Sequence, residues 1–188
     1  MLHIEKMKEI LKDRLTEKRY IHSLGVQESA IKLAKIYNVS IEKASIAALV
    51  HDCAKDLSED MLLNYAKQFD ILVDSVESHQ IGLLHGCVGA ELVKIEFGIE
   101  DSEIINAIRF HTTGKENMTI LEKIIYLADY IEPNRSFNGV DQLRKTALSN
   151  LDKAVIMAFD KTINYVIQKG ELLHPTTIVA RNFLLLQT

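Results

Sequence analysis

Aliphatic residues recur three and four positions apart along almost the whole 188-residue chain, and glycine and proline number only eight and two. That spacing follows the 3.6-residue helical repeat and gives each segment one apolar stripe, whereas strands need alternation. The fold class expected is all-α, a single-domain helical bundle over residues 1–188, because no linker, repeat or low-complexity segment divides the chain. Hydrophobic residues make up 47% of the sequence, enough for a packed core in a domain of this length.

The stripes and stop signals set the order of elements. Ile4, Met7, Leu11 and Leu15 share one face of a first helix. A second is expected over residues 20–37, with Ile21, Leu24, Ala30, Ile31 and Ala34 inward. Ser40 caps a third, which runs through Ala44, Ala47, Ala48 and Leu49 to His51 and Asp52. Its alanines let neighbouring helices come close, as the centre of a bundle requires. Residues 59–69 form a short helix behind Ser58, and residues 70–78 are irregular or partly helical. A helix over residues 84–97 ends on Gly98, Asp101 caps one reaching about Phe110, and His111 falls at its end. Thr119 and Glu122 form a capping box for a helix that carries Ile124, Leu127, Ala128 and Ile131 inward and stops at Pro133. Three helices follow, over residues 141–147, over 151–169 up to Gly170, and from Thr177 to the end.

Composition narrows the function. A net charge of −4 with no run of lysines or arginines excludes a nucleic-acid backbone as the main partner. A small polyphosphate stays open, since it needs only a metal and a few placed cations. No apolar run approaches the roughly 20 residues of a membrane span, and the opening Met1-Leu2-His3-Ile4-Glu5-Lys6 reads as an amphipathic helix rather than a signal peptide, so the cytoplasm is the expected location. Cys53 and Cys87 are too few for a disulfide framework and are expected as buried thiols.

The run from Ala47 to Lys55 is small and aliphatic until it reaches His51 and Asp52. Two polar side chains there need a partner, because an unpaired buried polar group costs about 1–3 kcal/mol. A metal ion satisfies both. His22, His85 and His111 each lie near a helix end or first turn, and Asp129 lies one turn before Pro133. These groups sit on separate helices, so they converge only if folding brings facing helices together. Imidazole with carboxylate suits iron, manganese, cobalt or zinc better than calcium. Six such groups exceed the needs of one tetrahedral ion, whereas two ions sharing a bridging carboxylate use them all.

The array of His22, His51-Asp52, His85, His111 and Asp129, headed by Arg19-Tyr20-Ile21-His22 and followed by Leu127-Ala128-Asp129-Tyr130-Ile131-Glu132-Pro133, resembles the HD-domain metal-dependent phosphohydrolases. With His51-Asp52-Cys53-Ala54-Lys55 as its HDxxK segment and His174-Pro175-Thr176-Thr177 near the end, it is more narrowly similar to the YqeK-type symmetrical diadenosine tetraphosphate hydrolases. The resemblance covers nearly the whole chain. It implies an all-α enzyme of the HD type that splits the dinucleotide into two ADP, using two divalent or mixed-valence ions, iron foremost. It also implies that His22, His51, Asp52 and Asp129 hold one ion and His85 and His111 the other, with Asp52 bridging and Asp52, His85 and His111 catalytic.

Cations near these positions are expected to hold the remaining phosphates: Lys55, one helical turn beyond His51, Arg135 just after the Asp129 helix, and Arg19 just before His22. An ordinary surface role is the alternative for each. His174 and Thr176 either edge the nucleotide pocket or start the last helix, and Glu132 either orients a ligand or ends its helix. His3 and His79 match no position of the pattern. Two other functions are weighed: another nucleotide phosphohydrolase, such as a 5'-nucleotidase or guanosine tetraphosphate hydrolase, and a helical module that binds metal and nucleotide without turnover. A homodimer is kept beside the monomer.

Overall fold

A computed structural model describes all of residues 1–188, as ten α-helices and one 3₁₀ turn with no strand. The helices are α1 (Ile4–Arg14), α2 (Glu17–Ile36), α3 (Ile41–Val50), α4 (Glu59–Gln68), α5 (His85–Phe97), α6 (Ser102–Arg109), α7 (Ile120–Ile131), α8 (Val140–Ala147), α9 (Leu151–Lys169) and α10 (Pro175–Leu185). The 3₁₀ turn, Ile81–Leu84, leads directly into α5. No helix is long and apolar enough to cross a membrane.

The middle of the bundle is α3, buried from Ala44 to Val50 and packed against α1, α2, α6 and α7. Ala44, Ser45, Ala47 and Ala48 have side chains short enough for four neighbours to approach at once. Helix α7 lies next to it and also touches α2, α6, α8 and α9. The ends of these central helices therefore meet in one region. A smaller apolar cluster of Ala54, Leu62, Ala66, Leu84, Val88 and Leu92 packs α4 against the 3₁₀ turn and α5.

Local chemistry fixes most boundaries. Ser40 Oγ accepts from Lys43 N at 3.2 Å, and Ser58 Oγ accepts from Met61 N at 3.3 Å. Both halves of the Thr119–Glu122 capping box are formed. Gly98 and Gly170 take the left-handed conformation, at φ 64° and 67°, that ends α5 and α9.

Three expectations are corrected. Ile21 is 46% exposed and Leu24 and Ile31 are half-buried, whereas Ala30 and Ala34 are buried as expected and α2 buries His22, Val26 and Leu33 with them. The stripe is turned by one residue so that His22 and Gln27 face inward, where Gln27 Nε2 donates to Ser45 Oγ at 3.0 Å. Helix α3 stops at Val50, and residues 51–57 continue as tight turns through Cys53 N to Val50 O, Lys55 N to Asp52 O and Leu57 N to Ala54 O. The last helix starts at Pro175, two residues early, capped by His174 Nδ1 accepting from Thr176 N at 3.2 Å.

Candidate metal centre

Helix ends orient the imidazoles. His51 follows α3 and its Nδ1 donates to Ala48 O at 2.7 Å; His111 follows α6 and its Nδ1 donates to Ile108 O at 2.6 Å. His85 opens α5 with Nδ1 donating to Gly82 O at 2.6 Å. In each case the acceptor is the carbonyl three residues upstream, so a helix end or 3₁₀ turn sets both the ring and its partner. His22, in the second turn of α2, has Nδ1 3.3 Å from Glu132 Oε1, just past the end of α7. Carbonyl and carboxylate oxygens only accept, so all four rings carry hydrogen on Nδ1 and turn the Nε2 lone pair inward.

Those lone pairs surround two carboxylates. Asp52 Oδ1 lies 3.2 Å from His85 Nε2 and 3.4 Å from His111 Nε2. Its other oxygen lies 3.5 Å from His51 Nε2 and 3.8 Å from His22 Nε2. Asp129 Oδ1 is 2.9 Å from His22 Nε2. The ligating atoms of His22, His51 and Asp129 lie within 4.8 Å of one another, as do those of His51, Asp52 and His111. The six groups named from the sequence are thus brought to one place, with His51 fully buried and Asp52 only 3% exposed.

Where the imidazoles meet one another and the carboxylates, acceptor faces acceptor. His85 Nε2 and His111 Nε2 are 3.0 Å apart, and the buried Nε2 atoms of His22 and His51 receive no hydrogen bond. Converging lone pairs repel unless cations or shared protons sit among them. The donor set, imidazole nitrogen with carboxylate oxygen, suits divalent transition ions, so the residues present fit a metal.

Burial and charge favour the metal-binding forms of His51, His85, Asp52 and Asp129 and, on balance, oppose that of His111. Burial pushes the His51 imidazole down to about 4, and burial also lowers His85 against the pull of Asp52. Burial would lower His111 as well, but the Asp52 carboxylate 3.4 Å from its Nε2 raises it on balance. Burial opposes ionisation of Asp52, yet His51 beside it and the rings of His111 and His85 facing its Oδ1 hold it well below the usual carboxylate range. Asp129 is likewise held low despite burial, chiefly by His22, whose Nε2 lies 2.9 Å from its Oδ1. Cys53, by contrast, is pushed up to about 12 by burial, which leaves an inert thiol.

A cavity of about 290 Å³ opens onto the cluster, lined by Asp52, His85, His111 and Asp129 together with Arg19, Lys55 and Arg135. Arg19 Nη1 donates to Asp52 Oδ2 at 2.7 Å, and Arg135 Nη2 donates to Asp129 Oδ1 at 2.9 Å. Lys55 Nζ stands 3.3 Å from His85 Nδ1 and is lowered in pKa by burial. It reaches the cavity through the turn after α3 rather than along a continued helix.

Several wall residues had no signal in the sequence. Thr112 Oγ1 sits 3.3 Å from both His85 Nε2 and His111 Nε2, and Tyr126, Tyr130 and Thr162 complete the wall. Position next to His111 could have pointed to Thr112; nothing local marks Thr162, midway along α9. Arg144 shapes the loop that presents Arg135, donating to Ile131 O, Glu132 O and Arg135 O at 3.0, 2.8 and 2.9 Å. His174 and Thr176 are not brought to this wall. His174 caps α10 and faces Asp74, with Nε2 3.0 Å from Oδ2.

Comparisons with known proteins agree with this geometry. The HD domain family matches residues 19–134, a span that begins at Arg19 and ends just past Glu132. The symmetrical bis(5'-nucleosyl)-tetraphosphatase of Halalkalibacterium halodurans is 46% identical over 183 residues, covering 95% of each chain. That of Bacillus subtilis is 41% identical over 174 residues, covering 93% of each. Among solved structures, a predicted HD superfamily hydrolase involved in NAD metabolism from Clostridium acetobutylicum superposes over 100% of both chains with a TM-score of 0.97 at 49% identity. With its six-residue cluster and this degree of likeness, the chain belongs to the HD domain family, in the branch of the symmetrical bis(5'-nucleosyl)-tetraphosphatases.

Proposed function

We propose that the 188 residues act as one metal-dependent phosphohydrolase domain that cleaves diadenosine tetraphosphate, and related dinucleoside polyphosphates, into two equal halves. The observation that carries the proposal is the placing of Asp52: one oxygen faces His85 and His111, the other His22 and His51. A carboxylate in that position can bridge a pair of cations, with His22, His51, Asp52 and Asp129 around one and His85, His111 and Asp52 around the other. Iron is the leading candidate, with manganese, cobalt and zinc as alternatives. Such a pair, when bound, acidifies water near neutral pH and offsets phosphate charge.

The chain's own residues do the rest. The Nδ1 hydrogen bonds of the four histidines fix the ligand directions before any substrate arrives, which fixes the line of attack. Arg19, Lys55 and Arg135 bring three cationic side chains to the cavity beside the carboxylates, suited to the phosphates that are not being cut. Thr112 adds a hydroxyl at the reacting end. His174 and Thr176 have no part in this reading, since capping and Asp74 account for them. The setting proposed is the cytoplasm and the substrate a free nucleotide, with neither nucleic acid nor membrane as partner; a homodimer is compatible with it.

Freshly purified protein should contain two transition-metal ions per chain by elemental analysis. It should convert diadenosine tetraphosphate to ADP alone on anion-exchange chromatography. ATP with AMP would mean an off-centre cut and would end the symmetrical reading, and tight nucleotide binding without turnover would favour a binding module. Lys55→Ala should raise KM about tenfold with metal content unchanged, the scale of one charge-assisted phosphate contact. Unaltered kinetics in that variant would remove Lys55 from the substrate.

A further inference from the structure

Arg19 and Arg135 line more than the cavity. Both also line an open groove of about 760 Å³, together with His22, residues 16–18 and the loop after α7. The two spaces therefore meet at the arginines that pair with Asp52 and Asp129. We propose that this groove receives a second nucleoside diphosphate, so that the metal-loaded chain holds two at once, and that Ile21 provides the apolar surface for the base of the second. This rests on the symmetrical hydrolase reading, in which the reacting centre must lie between two equal halves of the substrate.

Size is the first argument. Small-molecule pockets run from roughly 300 to 1,000 Å³, so the 290 Å³ cavity is at the lower limit for one nucleotide and too small for two. The groove is more than twice as large and adjoins it. An arginine fork matches phosphate oxygens in pairs, so Arg19 and Arg135 are placed to hold the chain of phosphates where it passes from one space to the other.

Ile21 is the second argument. It is the only apolar side chain lining the groove and is 46% exposed. Since α2 buries the stripe through His22, Val26 and Ala30, packing places no demand for an aliphatic residue at position 21. Asn134 adds a directed polar group. Its Nδ2 donates to Glu132 Oε2 at 3.1 Å, and a carboxylate can only accept, so the amide cannot be reversed. Asn134 Oδ1 is thereby left to accept from a ligand such as a base with an exocyclic amine. Two of the three acidic residues of the groove are already engaged: Asp56 Oδ2 accepts from Thr16 N and Oγ1 at 2.8 and 3.0 Å, and Glu132 holds Asn134.

Titration calorimetry of the metal-loaded protein with ADP should give two molecules bound per chain. Ile21→Ser, at an exposed position that leaves the core intact, should weaken one of the two about tenfold and leave the other unchanged, as expected from losing half-buried apolar contact. The same variant should raise KM for diadenosine tetraphosphate by a similar factor at unchanged kcat. One ADP per chain in the wild-type protein, or an Ile21→Ser variant that binds ADP as the wild type does, overturns the groove. Failure of the hydrolase reading looks different: the dinucleotide is not turned over, whereas ADP can still be counted.

Discussion

Asp52→Ala abolishes turnover, lowering kcat at least ~1,000-fold, the scale seen when one member of an interdependent catalytic set is removed. It should also leave the protein with at most one metal ion per chain. The geometry makes this residue different from its five partners. Each imidazole contributes one lone pair to one side of the cluster, but Asp52 faces both sides, with Oδ1 toward His85 and His111 and Oδ2 toward His22 and His51. No neighbour can substitute, because of the four imidazoles Asp129 closely approaches only His22. The variant should keep its fold. Alanine is smaller and apolar, the site adjoins a cavity that water can enter, and the Asp52 carboxylate bonds to no helix backbone. Far-UV circular dichroism should therefore match the wild type while elemental analysis and product formation do not. Normal turnover with a full complement of metal would remove the bridging carboxylate and with it the proposed mechanism.

What the sequence makes legible and what it hides follows from how far each signal reaches. Caps and stops are local: Ser40, Ser58, the Thr119–Glu122 box, Gly98 and Gly170 act within one turn, and each lies where its chemistry requires. His51, Asp52 and Asp129 are legible for a related reason, since polar side chains on apolar runs need partners wherever the chain folds, whereas His22, His85 and His111 stand out only by their places near helix ends and by the family pattern they complete. The rotation of α2 is not local. Counting aliphatics puts Ile21 inside, but the inward face is decided by groups on other helices, Ser45 for Gln27 and Glu132 for His22. Lys55 shows the same limit, reaching its expected neighbourhood through tight turns that no periodicity announces. Thr162 and Arg144 meet the site only through the packing of α9 on α7 and of α8 on the loop after α7, contacts with no trace in their own surroundings.

Glu132→Ala carries the second large effect, and it tests the support of the cluster rather than the cluster itself. The Glu132 carboxylate is 2% exposed and fully used: Oε1 faces His22 Nδ1 at 3.3 Å, and Oε2 accepts from Asn134 N at 2.7 Å and Nδ2 at 3.1 Å. Gly25 makes room for it, since a Cβ there would lie 2.5 Å from Oε2. Truncation frees the His22 ring to turn or change tautomer and hands the two donors of exposed Asn134 back to water. Metal affinity should fall about 10–100-fold, the usual cost of losing the partner that orients a metal-binding histidine. The metal-free protein should also lose about 1 kcal/mol of stability in urea unfolding, for the lost hydrogen bonds. Glutamine is no remedy, because its Nε2 would point a donor at either His22 Nδ1–H or the Asn134 donors; Glu132→Gln should resemble Glu132→Ala. Gly25→Ala offers an independent route to the same result, pressing the carboxylate out of place while leaving it chemically intact. Excess metal should restore much of the activity of all three variants, which separates a weakened ligand from a missing one. Metal affinity unchanged in Glu132→Ala would mean that His22 is held by packing alone, and the carboxylate would then serve only to end α7.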